Sequence, residues 1–261
     1  MPASRTTPVL TGGNLALPNG NYSPVNSMWR SAPILAALDD QQVAATYENE
    51  FWDYTTGENG LESVVSNAGA VVVLPAAAGV HYGVLDLQPS DGTIVAEDET
   101  YVGSEILTWL IHEGSDLYIE YAVKITESNG DDANVIVGLS SLHNANFLQD
   151  AGAGPAANYD GVVMFKVFGG TVWQMETSRA AAQTTLANVG TRTTGLWTRV
   201  GFHIEGADKV TGYINGLPVG VITGATLPNA AMGLVMGVKT GSNDNEDILD
   251  VDRVQIVQTR A

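Results

Sequence analysis

The chain of 261 residues contains no cysteine. Disulfide staples, thiolate metal sites and cysteine nucleophiles are thereby removed together, so stability has to come from packing and assembly. Basic residues are scarce as well: 11 Lys and Arg stand against 29 Asp and Glu, a formal charge of −18. Nucleic-acid phosphates and anionic lipid surfaces are held by Lys and Arg, so this balance argues against direct nucleic-acid or membrane partners. No apolar run approaches the roughly 20 residues that span a bilayer. The opening M-P-A-S-R-T-T-P-V-L lacks the basic start and apolar core of a secretion signal, which points to synthesis in a cytoplasm without export by the general secretory route. The four histidines, His81, His112, His143 and His203, are widely spaced and none belongs to H-E-x-x-H. G-x-S-x-G, phosphate-loop and dinucleotide fingerprints are missing too. Serine-hydrolase, zinc-protease and nucleotide chemistry therefore find no support in the motifs.

What is present is a succession of short strands. In Leu196, Thr198, Val200, Phe202 and Ile204 the mostly apolar side chains share one face, while Trp197, Arg199, His203 and Glu205 take the other. Asn215-Gly216 lies between Tyr213-Ile214 and Leu217-Val219, and supplies the positive backbone angles of a tight hairpin turn. Leu117, Ile119, Tyr121, Val123 and Ile125 form another apolar face. Asn134 to Leu139 and Gly161 to Phe168 are apolar on nearly every residue, which predicts central strands covered on both faces. Further strands are expected over 47–54, 61–66, 70–74, 82–87, 106–111, 173–177 and 231–238. The small-residue segment 151–158 reads as a surface excursion between two central strands. With 29 glycines as turn formers and no convincing long helix, residues 46–261 are predicted to be one all-β domain, two packed antiparallel sheets in a jelly-roll sandwich. In the last strand Leu249 and Val251 share one phase but Val254 and Ile256 the other, so a β-bulge is expected around Asp252-Arg253.

Residues 1–45 differ. Pro2, Pro8, Pro18, Pro24 and Pro33, with Gly12, Gly13 and Gly20, break any regular element and predict an extended arm. Val9, Leu10, Leu15, Leu17, Tyr22, Met28 and Trp29 are too many apolar residues for a solvated linker. They read as anchors, either on another protein or on the arm's own domain. Ser31, Pro33 and I-L-A-A-L suggest a short capped helix.

The segments H-Y-G-V-L-D-L, L-Y-I-E-Y-A-V-K-I-T, Y-D-G-V-V-M-F, W-T-R-V with Y-I-N-G, and L-D-V-D-R-V-Q-I-V together resemble the concanavalin A-like lectin/glucanase sandwich. The resemblance is to the variant recurring in structural proteins of tailed bacteriophages. It implies a non-enzymatic virion protein, a capsid decoration, cement or head-fibre subunit assembled in the host bacterial cytoplasm. Its arm would anchor it to other virion proteins, the major capsid protein foremost, and it would be a homo-oligomer such as a trimer. The same fold hosts glycan-binding modules and glycoside hydrolases, which are the alternatives. Laminarinase-type hydrolases place E-x-D-x-x-E on one strand. Here Glu97 with Glu99, Asp250 with Asp252, and Glu120 with Ala122 and Lys124 leave that pattern incomplete, and A-E-D-E-T reads as a solvated turn or strand edge. No cofactor is implied, although the oxygen-rich stretches 127–132 and 242–247 offer ligands of the kind calcium uses. For a sugar, Trp109, Trp173 and Trp197 are the aromatic candidates, set against the ordinary role of tryptophan in a core.

Overall fold

The computed structural model describes residues 27–30, 32, 44–51, 53–57, 60–66, 69–74, 83–89, 95–127, 132–241 and 247–260. Seventeen strands follow in chain order: β1 (Ala44–Asn49), β2 (Leu61–Ser66), β3 (Ala70–Leu74), β4 (Val84–Gln88), β5 (Glu99–Ser104), β6 (Asp116–Glu127), β7 (Asn134–Ser140), β8 (Leu148–Gln149), β9 (Gly154–Pro155), β10 (Gly161–Lys166), β11 (Val172–Arg179), β12 (Ala182–Thr191), β13 (Thr198–Glu205), β14 (Lys209–Ile214), β15 (Leu217–Thr223), β16 (Gly233–Lys239) and β17 (Asp247–Thr259). The first sheet runs β15-β14-β13-β6-β17-β4-β3, with β1 also paired to β17, and the second runs β12-β11-β10-β7-β16-β5-β2. Every pairing is antiparallel, which gives the two-sheet jelly-roll sandwich expected of the alternating pattern.

The core lies where the apolar phases of the two sheets meet. Ile119, Tyr121 and Val123 of β6, Val200 and Phe202 of β13, and Val254 and Ile256 of β17 face Val135 and Val137 of β7, Met164 of β10 and Met236 of β16. Burying such side chains stabilises by about 1.5–3 kcal/mol each. Tyr121 also donates from its hydroxyl to the Gly138 carbonyl at 2.6 Å, tying β6 to the opposite sheet. Trp109 and Trp173 belong to this core. The bulge falls where the phase slips: Val251 pairs with Val123, then Arg253 with Ala122, and Asp252 is the extra residue. At the Asn215-Gly216 turn both residues have positive φ, 50° and 78°.

Four expectations change. The strand expected over 47–54 starts earlier and stops at Asn49. Residues 106–111 form no strand; Trp109 makes one isolated bridge to Met232 while β5 and β12 supply strands the pattern did not announce. The acidic A-E-D-E-T run is no solvated turn, because Asp98 and Glu99 are buried. Segment 151–158 is only partly a surface excursion, since Gly154 and Pro155 are buried in β9. Together with the residues before it, this connection lays Phe147, Leu148 and Tyr159 on the outer face of the second sheet, against Tyr101, Ile136, Val163, Phe165 and Val235.

Candidate functional site

Each sheet has an outer face on which a ligand could sit, and the sequence treats the two differently. On the second sheet the outward phase mixes apolar residues and glycines with a few buried polar side chains, and the connection from β7 to β10 covers much of it. Two polar networks pin that cover. Lys239, fully buried, donates to Asp150 Oδ1 at 2.5 Å and to Asn146 Oδ1 and Leu148 O at 3.2 Å, with Glu97 at 3.5 Å and Glu99 at 3.7 Å. The hydrogen bond from Lys239 holds the Asp150 carboxyl below its ordinary value. In the other network Tyr159, Gln183 and Thr185 donate to Glu176 at 2.7, 2.8 and 2.5 Å. Burial still outweighs these donors and pushes the Glu176 carboxyl up. Glu97 and Glu99, candidates for sugar chemistry in the sequence, thus serve to fasten a cover.

The first sheet presents a row of different character. Register places Lys124 of β6 beside Asp250 of β17, and Asp250 beside Asp86 of β4. Thr198 pairs with Val123, so Trp197, just ahead of β13, continues the row on the other side of Lys124. The Lys124 ammonium lies 2.6 Å from Asp250 Oδ2 and 5.4 Å from the centre of the Trp197 ring. Trp197 is 38% exposed, whereas Trp109 and Trp173 are 8% and 0% exposed. Asp250 is buried, and its Oδ1 accepts no hydrogen bond. Leu196 and Leu217, at this end of the sheet, are exposed too. The row therefore combines an exposed aromatic face with an ammonium that fixes it, set over a buried carboxylate. Such a combination suits a sugar, whose C–H face stacks on an exposed ring.

The other candidates are placed as follows. Glu120, buried on the same outer face, lies 3.8 Å from Arg253, which also stands 3.8 Å from Glu48. Arg253, beside the bulge, is thus tied across to β6 and β1. Met28 is buried with Ala44, Tyr118 and Val257, and Trp29 stacks on Tyr118 at 6.2 Å. These two anchors pack on the chain's own first sheet. Val9, Leu10, Leu15, Leu17 and Tyr22 lie outside the described residues, as do His81, the Ser31–Leu38 helix except for Ala32, and most of both oxygen-rich stretches. Among the described residues no three acidic or histidine side chains are grouped to hold a metal. His203 stacks on Tyr118 at 4.2 Å and His143 contacts Glu62 at 2.6 Å. Lys124 and Asp86 went unnoticed as site residues in the sequence. The signal for them is the pairing of β6 and β4 with β17, which no local pattern reveals.

No protein-family model and no curated protein sequence matches the chain. Solved structures do. An endo-β-1,4-glucuronan lyase from the fungus Trichoderma reesei superposes with a TM-score of 0.55 at 13% identity, covering 80% of this chain and 94% of that one. The Bacillus licheniformis β-glucanase gives 0.51 at 13% identity over 81% and 97%. A legume lectin-like domain from Entamoeba histolytica gives 0.51 at 11% over 76% and 89%. Identities this low carry the fold and nothing finer. The chain is an all-β sandwich with the concanavalin A-like lectin/glucanase fold.

Proposed function

We propose that the protein is a glycan-binding module that holds a sugar chain without cleaving it. The observation that carries this reading is the exposed Trp197 ring, fixed by Lys124, which is itself held by the buried Asp250. Lectin-like and glucanase-like neighbours in fold are consistent with it. Binding is favoured over hydrolysis by the state of the carboxylates. Asp250 and Asp86 are adjacent, yet both are buried and Lys124 engages Asp250, so neither is poised as an exposed acid flanking a cleft. The virion role implied by the sequence resemblance draws no support from the comparisons, none of which links the chain to bacteriophage proteins. Attachment to a capsid protein and assembly as a trimer stay separate proposals resting on residues 1–45.

The test is retention on immobilised polysaccharides together with an assay for released reducing ends. The intact chain should be retarded by at least one neutral glycan and release nothing. Trp197→Ala should weaken retention about tenfold or more, the equivalent of losing roughly 1.4 kcal/mol of stacking. An unretarded wild-type chain across a broad glycan set would sink the reading. Release of sugar, abolished by Asp250→Asn, would convert it to a hydrolase.

A further inference from the structure

At the end of the sandwich where β6 stops and β17 starts, five ionisable side chains are enclosed among the described residues. Asp247 and Glu127 are register partners on those two strands. Lys166, closing β10, reaches across to donate to Glu127 Oε1 at 2.5 Å and to the Ala133 carbonyl at 2.8 Å. Arg192, just past β12, meets Glu127 Oε2 at 2.5 Å, and the Ala133 N–H donates to Glu127 as well. Asp132, ahead of β7, is the fifth. Glu127 thus engages both cations. Asp247 is 0% exposed, and neither of its oxygens accepts a hydrogen bond. Among the described residues three carboxylates confront two cations, one positive charge short. An ionised carboxylate enclosed without hydrogen bonds is strongly disfavoured, and the shortfall must be made good.

We propose that a proton makes it good: Asp247 is the neutral acid while this end of the sandwich is closed, and its ionisation loosens the joined ends of β6 and β17. Burial, then the negative charges of Glu127 and Asp132, push the Asp247 carboxyl up to about 7 despite the opposing influence of Lys166 and Arg192. The ordinary value is 3.8, so the folded chain holds this proton more tightly than the unfolded one. Stability conferred by the neutral acid is complete below about 4, falls as pH climbs towards about 7, and levels off above it. Three residues further along the same two strands, on the outer face, stand Lys124 and Asp250. Loosening therefore reaches the sugar row, and sugar binding should weaken above neutrality. That consequence rests on the glycan-binding reading; the latch itself does not.

The experiment is a set of melts of the full chain between pH 5 and 8.5, with amide exchange followed at the ends of β6 and β17. Wild type should lose melting temperature between pH 5 and 7. Asp247→Asn should flatten that slope and melt above wild type at pH 8. Exchange at Glu127 and Asp247, corrected for intrinsic rate, should quicken in wild type above pH 7 and not in the variant. Equal slopes in the two proteins would overturn the latch. So would recovery of the wild-type melt at pH 8 on adding potassium or calcium at fixed ionic strength, since a cation would then fill the deficit. Should the variant fail to fold, carboxyl-carbon resonance titration of wild type decides: a midpoint for Asp247 near 7 supports the proposal and one near 4 refutes it. Glycan retention at pH 6 and 8 is read separately. No retention at either pH removes the glycan reading and leaves the latch intact, whereas undiminished retention at pH 8 severs the latch from the site.

Discussion

A lysine side chain with no exposure is held by what surrounds its ammonium, and Lys166 shows how much depends on one such group. Its charge is matched by Glu127, whose own side chain is fully buried. Breaking a buried pair from one side leaves the other charge stranded, at a cost of about 3–5 kcal/mol. Lys166→Met should therefore lower the melting temperature by on the order of 10 °C, given roughly 2–4 °C per kcal/mol for a domain of this size. Adding Glu127→Gln should recover part of the loss in a double-mutant cycle; a simple sum of the two effects would show the pair to be uncoupled. This pair could not be read from the sequence. G-V-V-M-F-K announces a buried strand, but nothing local says that its lysine continues inward rather than turning to water. Trp197 was legible, because strand alternation puts it opposite Val200 and Phe202. Trp109 and Trp173 were not, since neither lies in a segment whose phase is unambiguous.

Among the elements, β17 holds the first sheet together, pairing with β6, β4 and β1, and its bulge is a removable feature. Without Asp252, residues Leu249, Val251, Val254 and Ile256 would fall on one unbroken alternation. A chain lacking Asp252 is expected to fold with a loss of about 1–2 kcal/mol, measured by chemical denaturation. Removing Gln255 instead would turn Ile256 outwards and leave no cooperative transition. The bulge was legible for the same reason: a period of two makes a single extra residue visible as a slipped phase. Strands β5 and β12 were hidden because E-T-Y-V-G-S buries polar residues and A-Q-T-T-L-A-N-V-G-T buries none of its side chains fully. The 3-10 turn at Ser27–Arg30 adds a patch to the same sheet, since Met28 and Trp29 shield Tyr118 and Val257. Deleting residues 2–30 should then cost roughly 1.5–3 kcal/mol from the lost burial of Met28 alone. An unchanged denaturation midpoint would return these residues to the role of anchors for another protein.

For the molecule as a whole, charge sets what it can approach. A formal charge of −18 spread over 261 residues repels polyanions at a distance and the chain's own segments at close range. Salt should therefore raise the melting temperature, because the screening length falls from about 30 Å at 0.01 M to about 10 Å at 0.1 M. The sugar row points the same way, since its ammonium is already matched by Asp250, and a neutral glycan meets no net repulsion there. Likeness in fold to a glucuronan lyase does not alter this balance of charge. Neutral glycans should be retained equally at about 20 mM and about 300 mM sodium chloride, a range across which only charge-driven attraction or repulsion changes strongly. Polyuronates should fail to bind at the lower salt, where repulsion is least screened. Tighter binding of a polyuronate than of any neutral glycan at low salt would mean that Lys124 and nearby Arg199 and Arg253 act as an anion site in spite of the surrounding field. The sugar row would then have to be redrawn around those cations rather than around Trp197.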